Sequence, residues 1–341
     1  MEIEGTTLKK MKYAETMSEE DESEQLSKGE KRRRALFSKY VSNLNLLVEG
    51  GYLDADRDVF ICPICLGEHD STQGVNPLTL EDAPPKSLGG KANTLTCKSC
   101  NNGAGAKIDL HLTHRMEEME RDLFLPGSSV KCQIRIDGEL LQSDISVSDD
   151  GVMTVGHDID QNHPEKLEKA MQSLKGGETV DLNWYKSKVV PHRIGPALLK
   201  TGFILSFEKL GFAFATNKCF DIVREQINNP DDPIYPEKFW FTPDPGVINP
   251  GVYFIMDIGL ECILVVFETK CEQSTKLFGT FLPLPTNDIH NVIDLINQKF
   301  NDTEQFTLDL YPYEQDHDKY LTDVATIKAM FDWVTDKVED K

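Results

Sequence analysis

Residues 62–101 read CPICLGEHDSTQGVNPLTLEDAPPKSLGGKANTLTCKSCN, and this stretch predicts a small metal-bound fold. Two CxxC pairs bracket it. Four thiolates in two short pairs suit a tetrahedral zinc ion, because each pair wraps a tight turn around the ion while the chain between them closes as a loop. We therefore expect a structural zinc ion, with no catalytic role of its own, held by Cys62, Cys65, Cys97 and Cys100.

The chain between the two pairs is longer than a zinc ribbon needs. Residues 66–96 separate Cys65 from Cys97, whereas a ribbon typically uses about 15 to 20 residues there. The insert and the residue after the second pair carry a recognisable series of side chains. These are Glu81-Asp82, Pro84-Pro85, Leu88-Gly89-Gly90, Asn93 and Asn101.

This series resembles the HNH endonuclease family in its zinc-knuckle form. Members of that family commonly carry a CxxC pair, an acidic residue and a histidine before a proline, a glycine-rich loop, and a second CxxC followed by His or Asn. The chain departs from the pattern at two positions, because Asp82 stands where the family has its general-base histidine and Asn101 takes the last position. The resemblance covers about residues 58–115 and implies a ββα-metal fold with phosphodiester hydrolysis.

The residue pattern fits that fold. It predicts a strand near Leu78–Asp82, an irregular loop through 84–91, a second strand over Asn93–Thr96, and a helix that starts near the second cysteine pair. The fold class we expect is α+β, with a small HNH-like zinc module joined to a larger mixed C-terminal domain that contains antiparallel sheets.

The helix after the second cysteine pair places polar groups on one face. Asn101, Gly105 and Asp109 are four residues apart, and the glycine leaves room for a phosphate or a metal between the two polar side chains. Hard cations such as Mg²⁺ prefer oxygen ligands, keep several waters and accept one or two carboxylates. We expect a catalytic Mg²⁺ or Mn²⁺ site formed by Glu81, Asp82, Asn101 and Asp109.

The resemblance assigns each residue a role. Asp82 is a general base or a metal ligand, Glu81 and Asp109 hold the metal or its waters, and Asn93 and Asn101 position the loop and the phosphate. A carboxylate with an ordinary pKa near ~3.9 is a weaker base than imidazole unless burial raises that pKa. The predicted function is a metal-dependent endonuclease that hydrolyses DNA phosphodiester bonds.

Other interpretations of the same residues stay open. The module is alternatively a catalytically inactive zinc fold that binds nucleic acid or a protein partner. Glu81-Asp82 also fits a solvated turn, Asn101 a helix cap and Asp109 a solvated helix face. A metal-bound hydroxide or a histidine could replace Asp82 as the base, and the neighbouring histidines fit ordinary surface positions equally well. Those histidines are His69, His111 and His114.

The net charge of −21 opposes binding to a polyanion, but its distribution is uneven. Residues 116–341 hold 21 basic and 39 acidic residues, whereas residues 57–115 hold six of each. Residues 28–39, KGEKRRRALFSK, are basic and precede the module. We expect DNA to contact this run through Arg32, Arg33 and Arg34; the alternative is a solvated helix face or a partner for the acidic region.

Four segments are predicted along the chain. They are a disordered start over 1–22, a basic amphipathic helix within 23–56, the zinc module over 57–125 and an acidic α+β domain over 126–341. In the last, three strand-like runs form a meander and RIGPALLKTGFILSFEKLGFAFA forms a buried central helix. A basic cluster around that helix either guides nucleic acid or is ordinary surface charge. Its members are Lys186, Lys188, His192, Arg193 and Lys200.

No apolar run reaches the ~18 residues of a membrane helix, and residues 1–25 lack the apolar centre of a signal peptide. We expect a cytoplasmic protein with no membrane partner. The remaining cysteines have no short pairing, and this favours free buried thiols in a reducing compartment. They are Cys132, Cys219, Cys262 and Cys271. The sequence leaves open the oligomeric state, the sequence specificity, the choice between DNA and RNA, and whether the C-terminal domain gates the nuclease in response to a ligand.

Overall fold

The computed structural model describes residues 26–157, 161–175, 181–183, 187–302, 308–312 and 319–339. Its helices are α1 (Lys28–Glu49), α2 (Lys98–Ala104), α3 (Leu110–Arg121), α4 (Pro164–Ser173), α5 (Ile194–Leu210), α6 (Phe212–Ala215), α7 (Asp221–Asn228), α8 (Ile289–Asp302), α9 (Lys319–Thr322) and α10 (Val324–Glu339). Its strands are β1 (Phe60–Ile61), β2 (Glu68–His69), β3 (Leu78–Ala83), β4 (Lys91–Cys97), β5 (Ser129–Ile136), β6 (Glu139–Val147), β7 (Met153–His157), β8 (Asp181–Asn183), β9 (Trp240–Phe241), β10 (Gly251–Ile255), β11 (Cys262–Lys270), β12 (Thr275–Pro283) and β13 (Leu310–Pro312).

The strands form antiparallel sheets, which confirms the predicted mixed α+β class. A five-stranded sheet has the order β13-β10-β11-β12-β9, and a four-stranded sheet has the order β7-β6-β5-β8. The pairs β1-β2 and β3-β4 lie near the cysteines. The β5-β6 turn has Asp137 and Gly138 at φ +47° and +80°, as a tight hairpin with two left-handed residues requires.

Helix α5 joins the cysteine-containing segment to the C-terminal sheet. It contacts β11 and β12 on one side and β3 and β4 on the other, and it is apolar almost all round, so the predicted buried central helix is confirmed. One cluster of buried hydrophobic residues runs from α1 through β3, β4 and α5 to β10–β12, while β5, β6 and α4 share a smaller cluster. The predicted division between module and C-terminal domain stays a prediction, since this core passes through both.

An aromatic group fixes α1 against α5. The Tyr40 ring stacks on Phe207 with centroids 4.7 Å apart, and Phe60 and Phe212 meet the same rings at their edges. Such pairs contribute about 0.5–1.5 kcal/mol each beyond the burial of their area. The residues of β1, α1 and α5 are therefore held in fixed relation around the strands that carry the predicted site.

Several predicted boundaries were wrong for identifiable reasons. Helix α1 starts at Lys28, not Ser23, because Ser27 and Glu30 form a reciprocal capping box, whereas its predicted end at Glu49, before Gly50, is confirmed. The predicted C-terminal helix over 318–337 is divided because the Asp323 carboxylate caps a new helix by accepting from the Ala325 and Thr326 amides. Helix α8 was missed, although Ile289, Val292, Ile293 and Ile296 are buried at helical spacing. The predicted disordered start lies outside the described residues.

Candidate functional site

The four predicted cysteine ligands meet at one point. The Sγ atoms of Cys62, Cys65, Cys97 and Cys100 lie within 4.8 Å of one another, with 3.8 Å between Cys65 and Cys97, and all four are free thiols. Among the described residues, these four cysteines form the group of His, Cys, Asp or Glu side chains whose ligand atoms lie close enough together to hold a metal ion through three or more ligands. The predicted convergence of the four cysteines is thereby confirmed, and the cluster could hold a metal ion.

Local hydrogen bonds explain why the cysteines converge. Leu66 N–H donates to the Cys62 carbonyl over 2.8 Å and Cys62 N–H to the Gly67 carbonyl over 2.9 Å, which closes the first turn. The second pair straddles the β4–α2 junction, where Cys97 N–H donates to Cys62 Sγ over 3.4 Å. An amide that points at sulfur favours the thiolate form, so the junction is arranged to receive negative sulfur.

The thiols strongly influence each other's protonation. Hydrogen bonds from Cys100 and Cys62 hold the pKa of Cys65 at about 2, and a hydrogen bond from Cys62 holds the pKa of Cys97 at about 5. The donors take the opposite shift, since hydrogen bonds to Cys100 and Cys65 raise the pKa of Cys62 well above its usual range. A bound cation would remove the need for these shared protons, because metal ligation requires thiolates.

A β-bulge brings two consecutive acidic residues to the same place. Glu81 and Asp82 would point to opposite faces of a regular strand, but the register of β3 on β4 shifts between them, with Glu81 opposite Thr94 and Asp82 opposite Ala92. Asn93 is the extra residue in the bulge. Both carboxylates consequently reach the wall of one pocket.

The helical segment after the cysteines is not one regular helix. Helix α2 ends at Ala104, and Gly105–Asp109 forms a π-helical turn before α3 begins. A π turn changes the facing of the residues that follow, so the predicted four-residue spacing does not by itself explain the site. Even so, Asn101, Gly105 and Asp109 all line the same pocket as Glu81 and Asp82.

We call this space the carboxylate pocket. It has a volume of about 340 Å³, and its remaining wall comes from the loop after β3 and the start of α3. Its full lining is Glu81, Asp82, Pro85, Lys86, Ser87, Asn101, Gly105, Asp109, Leu110 and Thr113. Four of the five predicted catalytic residues therefore converge, and no histidine is among the described residues that line the pocket.

Lys200 is the residue of this site that the sequence prediction placed wrongly. It was grouped with surface charges, but it is only 3 % exposed, and its Nζ lies 2.6 Å from Glu81 Oε1 and 2.6 Å from Asp109 Oδ2. A lysine within a helix that is apolar on all sides is the signal that could have revealed this, since buried ammonium groups require anionic partners. The predicted solvated positions for Glu81 and Asp109 are excluded by the same contacts.

In this cluster burial and the attraction between opposite charges act against each other. Burial by itself would lower the pKa of Lys200, but the adjacent Glu81 and Asp109 carboxylates outweigh it and hold the pKa above its usual value. Burial raises the pKa of Glu81, while the Lys200 ammonium and the Thr96 hydroxyl, which donates over 2.6 Å, oppose that rise. The Lys200 ammonium and the Thr96 hydroxyl both contact Glu81, so they stabilise its ionised form against the effect of burial.

Asp82 is half-buried at the pocket and differs from Glu81. Burial raises its pKa, and the positive charges of Lys86, Lys200 and Arg32 act in the opposite direction. A raised pKa makes a carboxylate a better proton acceptor near neutral pH. Asp82 thus remains accessible from the pocket, while burial and the nearby positive charges act on its pKa in opposite directions.

Asn101 and Asn93 have structural partners. The Asn101 amide donates to Thr79 Oγ1 over 3.0 Å and to the Leu80 carbonyl over 2.9 Å, which ties α2 to β3 next to the pocket. Asn93 accepts from Arg32 over 3.0 Å and donates to Glu208 over 3.1 Å, and it lines a different pocket of about 380 Å³. The structure does not bring Asn93 to the other four predicted catalytic residues.

The other predicted residues lie away from the carboxylate pocket. His111 is buried and accepts the Val190 N–H over 3.3 Å, and His69 and His114 are half-buried. Arg193 forms a bidentate pair with Asp231, with 2.7 Å for each contact, and Lys200 is paired with Glu81 and Asp109. Gating by the C-terminal region stays a prediction. Lys188 is exposed, and Lys186 lies outside the described residues.

Comparisons of this chain with protein-family models, with curated proteins and with solved structures gave no match. In the part of the chain that the structure describes, no helix combines the length and the apolar character needed to cross a bilayer.

Proposed function

We propose that this chain is a metal-dependent endonuclease that hydrolyses DNA phosphodiester bonds in the carboxylate pocket. The observation that carries the proposal is the convergence of Glu81, Asp82, Asn101 and Asp109 on that pocket, directly beside the cysteine cluster. The order of β3, β4 and α2 with its cysteines also supports the resemblance to the zinc-knuckle HNH family.

Zinc is the metal we propose for the cysteines. Zn–S bonds of about 2.3 Å in a tetrahedron place sulfur atoms roughly 3.8 Å apart. The Cys65 and Cys97 sulfurs are 3.8 Å apart, and the set of four thiols matches a closed structural site. Metal analysis of the purified chain should find one zinc per chain, and Cys97→Ser should lose it; iron in its place, or no bound metal, would contradict the assignment.

The pocket offers fewer free oxygens than a fully protein-enclosed cation site. Glu81 and one oxygen of Asp109 are already bound to Lys200, which leaves Asp82 and Asp109 Oδ1. Mg²⁺ and Mn²⁺ sites of phosphoryl-transfer enzymes commonly use one or two carboxylates together with waters and the substrate phosphate. The donor set therefore fits a cation that is completed by substrate.

The chemistry at the pocket needs an attacking water, a proton acceptor and compensation for the charge that builds on phosphorus. A bound Mg²⁺ or Mn²⁺ would supply Lewis-acid stabilisation of that charge. One oxygen of Asp82 accepts the proton of the water as the new P–O bond forms, while its other oxygen would hold the cation, and the 3′ or 5′ oxygen leaves with a proton from solvent. Exposed Lys86, which lies close enough to act on the charge of Asp82, contacts the phosphate.

DNA would approach along the basic start of α1. Lys31, Arg32 and Arg34 are exposed there, and Arg32 and Arg33 donate to Asn93 and to the Leu78 carbonyl. The positive charge of Arg32 reaches Asp82. A phosphate backbone that follows α1 is thereby led toward the pocket despite the overall negative charge of the chain.

The test is plasmid nicking by zinc-loaded protein in Mg²⁺ or Mn²⁺. Asp82→Asn keeps the shape but removes the base, so we expect a rate at least about 100-fold lower, the lower end of general-base contributions. Asp70→Asn, an exposed acidic position in the same segment, is the matched control and should cleave at the wild-type rate. A plasmid left intact by the wild-type protein, or equal rates for wild type and Asp82→Asn, would refute the proposal.

A second function has its own support. The Lys200 ammonium already neutralises part of the acidic cluster, and no histidine is present among the described residues lining the pocket, which fits a zinc module that binds DNA or a protein without cutting. In that case the chain would bind a labelled duplex, with an affinity that falls steeply with salt, and release it intact. Cleavage that depends on Asp82 would exclude this alternative.

A further inference from the structure

Lys200 occupies the position between two carboxylates where a cation would be expected. Its Nζ makes contacts of 2.6 Å to Glu81 Oε1 and 2.6 Å to Asp109 Oδ2. The three side chains are 3 %, 2 % and 14 % exposed, so water screens these contacts little. A lysine from helix α5 thus supplies the positive charge to acidic groups that belong to β3 and to the π turn.

The four carboxylate oxygens of Glu81 and Asp109 are not equally satisfied. Glu81 Oε1 and Asp109 Oδ2 bind Lys200, and Glu81 Oε2 accepts the Thr96 hydroxyl over 2.6 Å. Asp109 Oδ1 is buried and has no hydrogen-bond partner among the residues that the structure describes. A buried carboxylate oxygen without a donor is costly, so this atom is suited to accept a ligand from the carboxylate pocket that its residue lines.

The count of acidic and basic side chains limits the number of cations. Glu81 and Asp109 are two acidic side chains against the one basic side chain of Lys200, and Asp82 at the pocket adds a third acidic one. One divalent cation would balance this cluster, whereas two would exceed it. The nearby positive charge of Lys86 disfavours a second metal ion further.

We propose that Lys200 acts as a built-in cation, which closes the space between Glu81 and Asp109 to metal ions and confines the pocket to one divalent cation, bound through Asp109 Oδ1 and Asp82. The identity of the pocket cation rests on the proposed nuclease function, but the exclusion of a metal by Lys200 does not. Lys200 is accordingly a positioning residue that the C-terminal part of the chain contributes to the site.

The first test counts Mn²⁺ ions bound by zinc-loaded protein, using electron paramagnetic resonance of free Mn²⁺ at pH 8. Lys200→Met keeps the length of the side chain but removes its charge, and we expect it to bind one Mn²⁺ per chain more than the wild type. Lys209→Met is the control, because Lys209 lies on the same helix, paired with Glu208, and should bind as the wild type does. The additional ion should disappear in Lys200→Met combined with Asp109→Asn.

Equal Mn²⁺ counts for folded Lys200→Met and the wild type would overturn the proposal. The count in the wild type, and its cleavage of DNA, bear on the proposed function instead, so the two ideas fail separately. If Lys200→Met binds the extra ion but the wild type cleaves no DNA, the built-in cation proposal stands and the nuclease proposal fails.

A second arm uses the unmodified lysine, because Lys200→Met leaves two buried carboxylates unpaired and destabilises the chain. In protein labelled with ¹⁵N-lysine, the buried ammonium should give a slowly exchanging signal that is absent from Lys200→Arg. We expect this signal to keep its position and intensity in 10 mM Mg²⁺. Its shift to the position of solvated lysines on addition of Mg²⁺ would show that a metal displaces Lys200 and would overturn the proposal.

Discussion

Gly90 supports the carboxylate pocket from behind its loop. A Cβ added at this position would lie 1.5 Å from the Pro84 carbonyl oxygen, so no side chain fits without movement of the backbone. Gly89 before it has φ +83° and donates its N–H to the Lys86 carbonyl over 3.1 Å. These two glycines shape the turn that carries Pro85, Lys86 and Ser87 to the pocket wall.

We predict that Gly90→Ala lowers the free energy of unfolding by at least about 1–3 kcal/mol, since the clash is with backbone and cannot be relieved by rotating a side chain. Urea denaturation would measure the change. Gly103→Ala is the matched control, because that glycine lies within α2 with open space at its Cβ position, and alanine there should raise stability by about 0.5–1 kcal/mol. Equal stability of Gly90→Ala and wild type would contradict this account of the loop.

At the residue scale, the sequence indicated which residues belong to the candidate site better than it indicated which residues they contact. The cysteines, Glu81, Asp82 and Asp109 could be recognised because their types and spacing suit metal ligands. The Lys200 contacts could not, because they join residues far apart in the chain and depend on where α5 packs. Asn93 is the opposite case. Its position in the motif predicted a catalytic role, but in the structure it lies in the bulge and bonds to Arg32 and Glu208.

At the element scale, helix α3 is joined to the segment before α5 through one histidine. His111 Nδ1 accepts the Val190 N–H over 3.3 Å, and Arg193 NH1 lies 3.5 Å from His111 Nε2. Burial lowers the pKa of His111, and the charges of Arg193, His114 and His192 lower it further, against the opposing effect of Asp231. The neutral imidazole is therefore the form that fits the folded chain.

This link predicts a pH dependence of stability. Because the pKa of His111 is lower in the folded chain, the unfolded chain binds this proton first as the pH falls through the ordinary value near ~6.5, and the free energy of unfolding decreases. We expect the wild type to lose more stability between pH 7.5 and 5.5 than His111→Asn, whose carbonyl can still accept from Val190. Urea titrations at both pH values test this, with exposed His163→Asn as the control; equal losses in wild type and His111→Asn would contradict it.

The elements themselves were predicted unevenly. The strands β3 and β4, the meander β5–β7 and the strands β10–β12 follow from alternating or continuous apolar runs bounded by turn residues. The π turn at Gly105–Asp109 could not be foreseen, because its sequence, GAKID, also fits an ordinary helix. Register within β3–β4 was equally hidden, since a bulge depends on pairing with the partner strand.

At the scale of the whole molecule, the candidate site depends on elements that lie far apart in the chain. Helix α1 supplies the basic surface, β3 to α3 the pocket, and α5 the lysine that neutralises it, all around one hydrophobic core. The sequence predicted the fold class and the convergence of the four cysteines. It could not predict that the core would be continuous through both predicted domains, because that depends on which apolar faces meet.

The most direct measurement is single-turnover cleavage of an end-labelled DNA duplex by zinc-loaded wild type and Asp82→Asn, with DNA affinity and zinc content determined on the same samples. The account predicts equal zinc and similar affinity, with Mg²⁺- or Mn²⁺-dependent cleavage by the wild type that is at least about 100-fold slower in Asp82→Asn. Cleavage that is unaffected by Asp82→Asn, or tight binding by the wild type with no cleavage at all, would contradict the claim that the carboxylate pocket is a nuclease site.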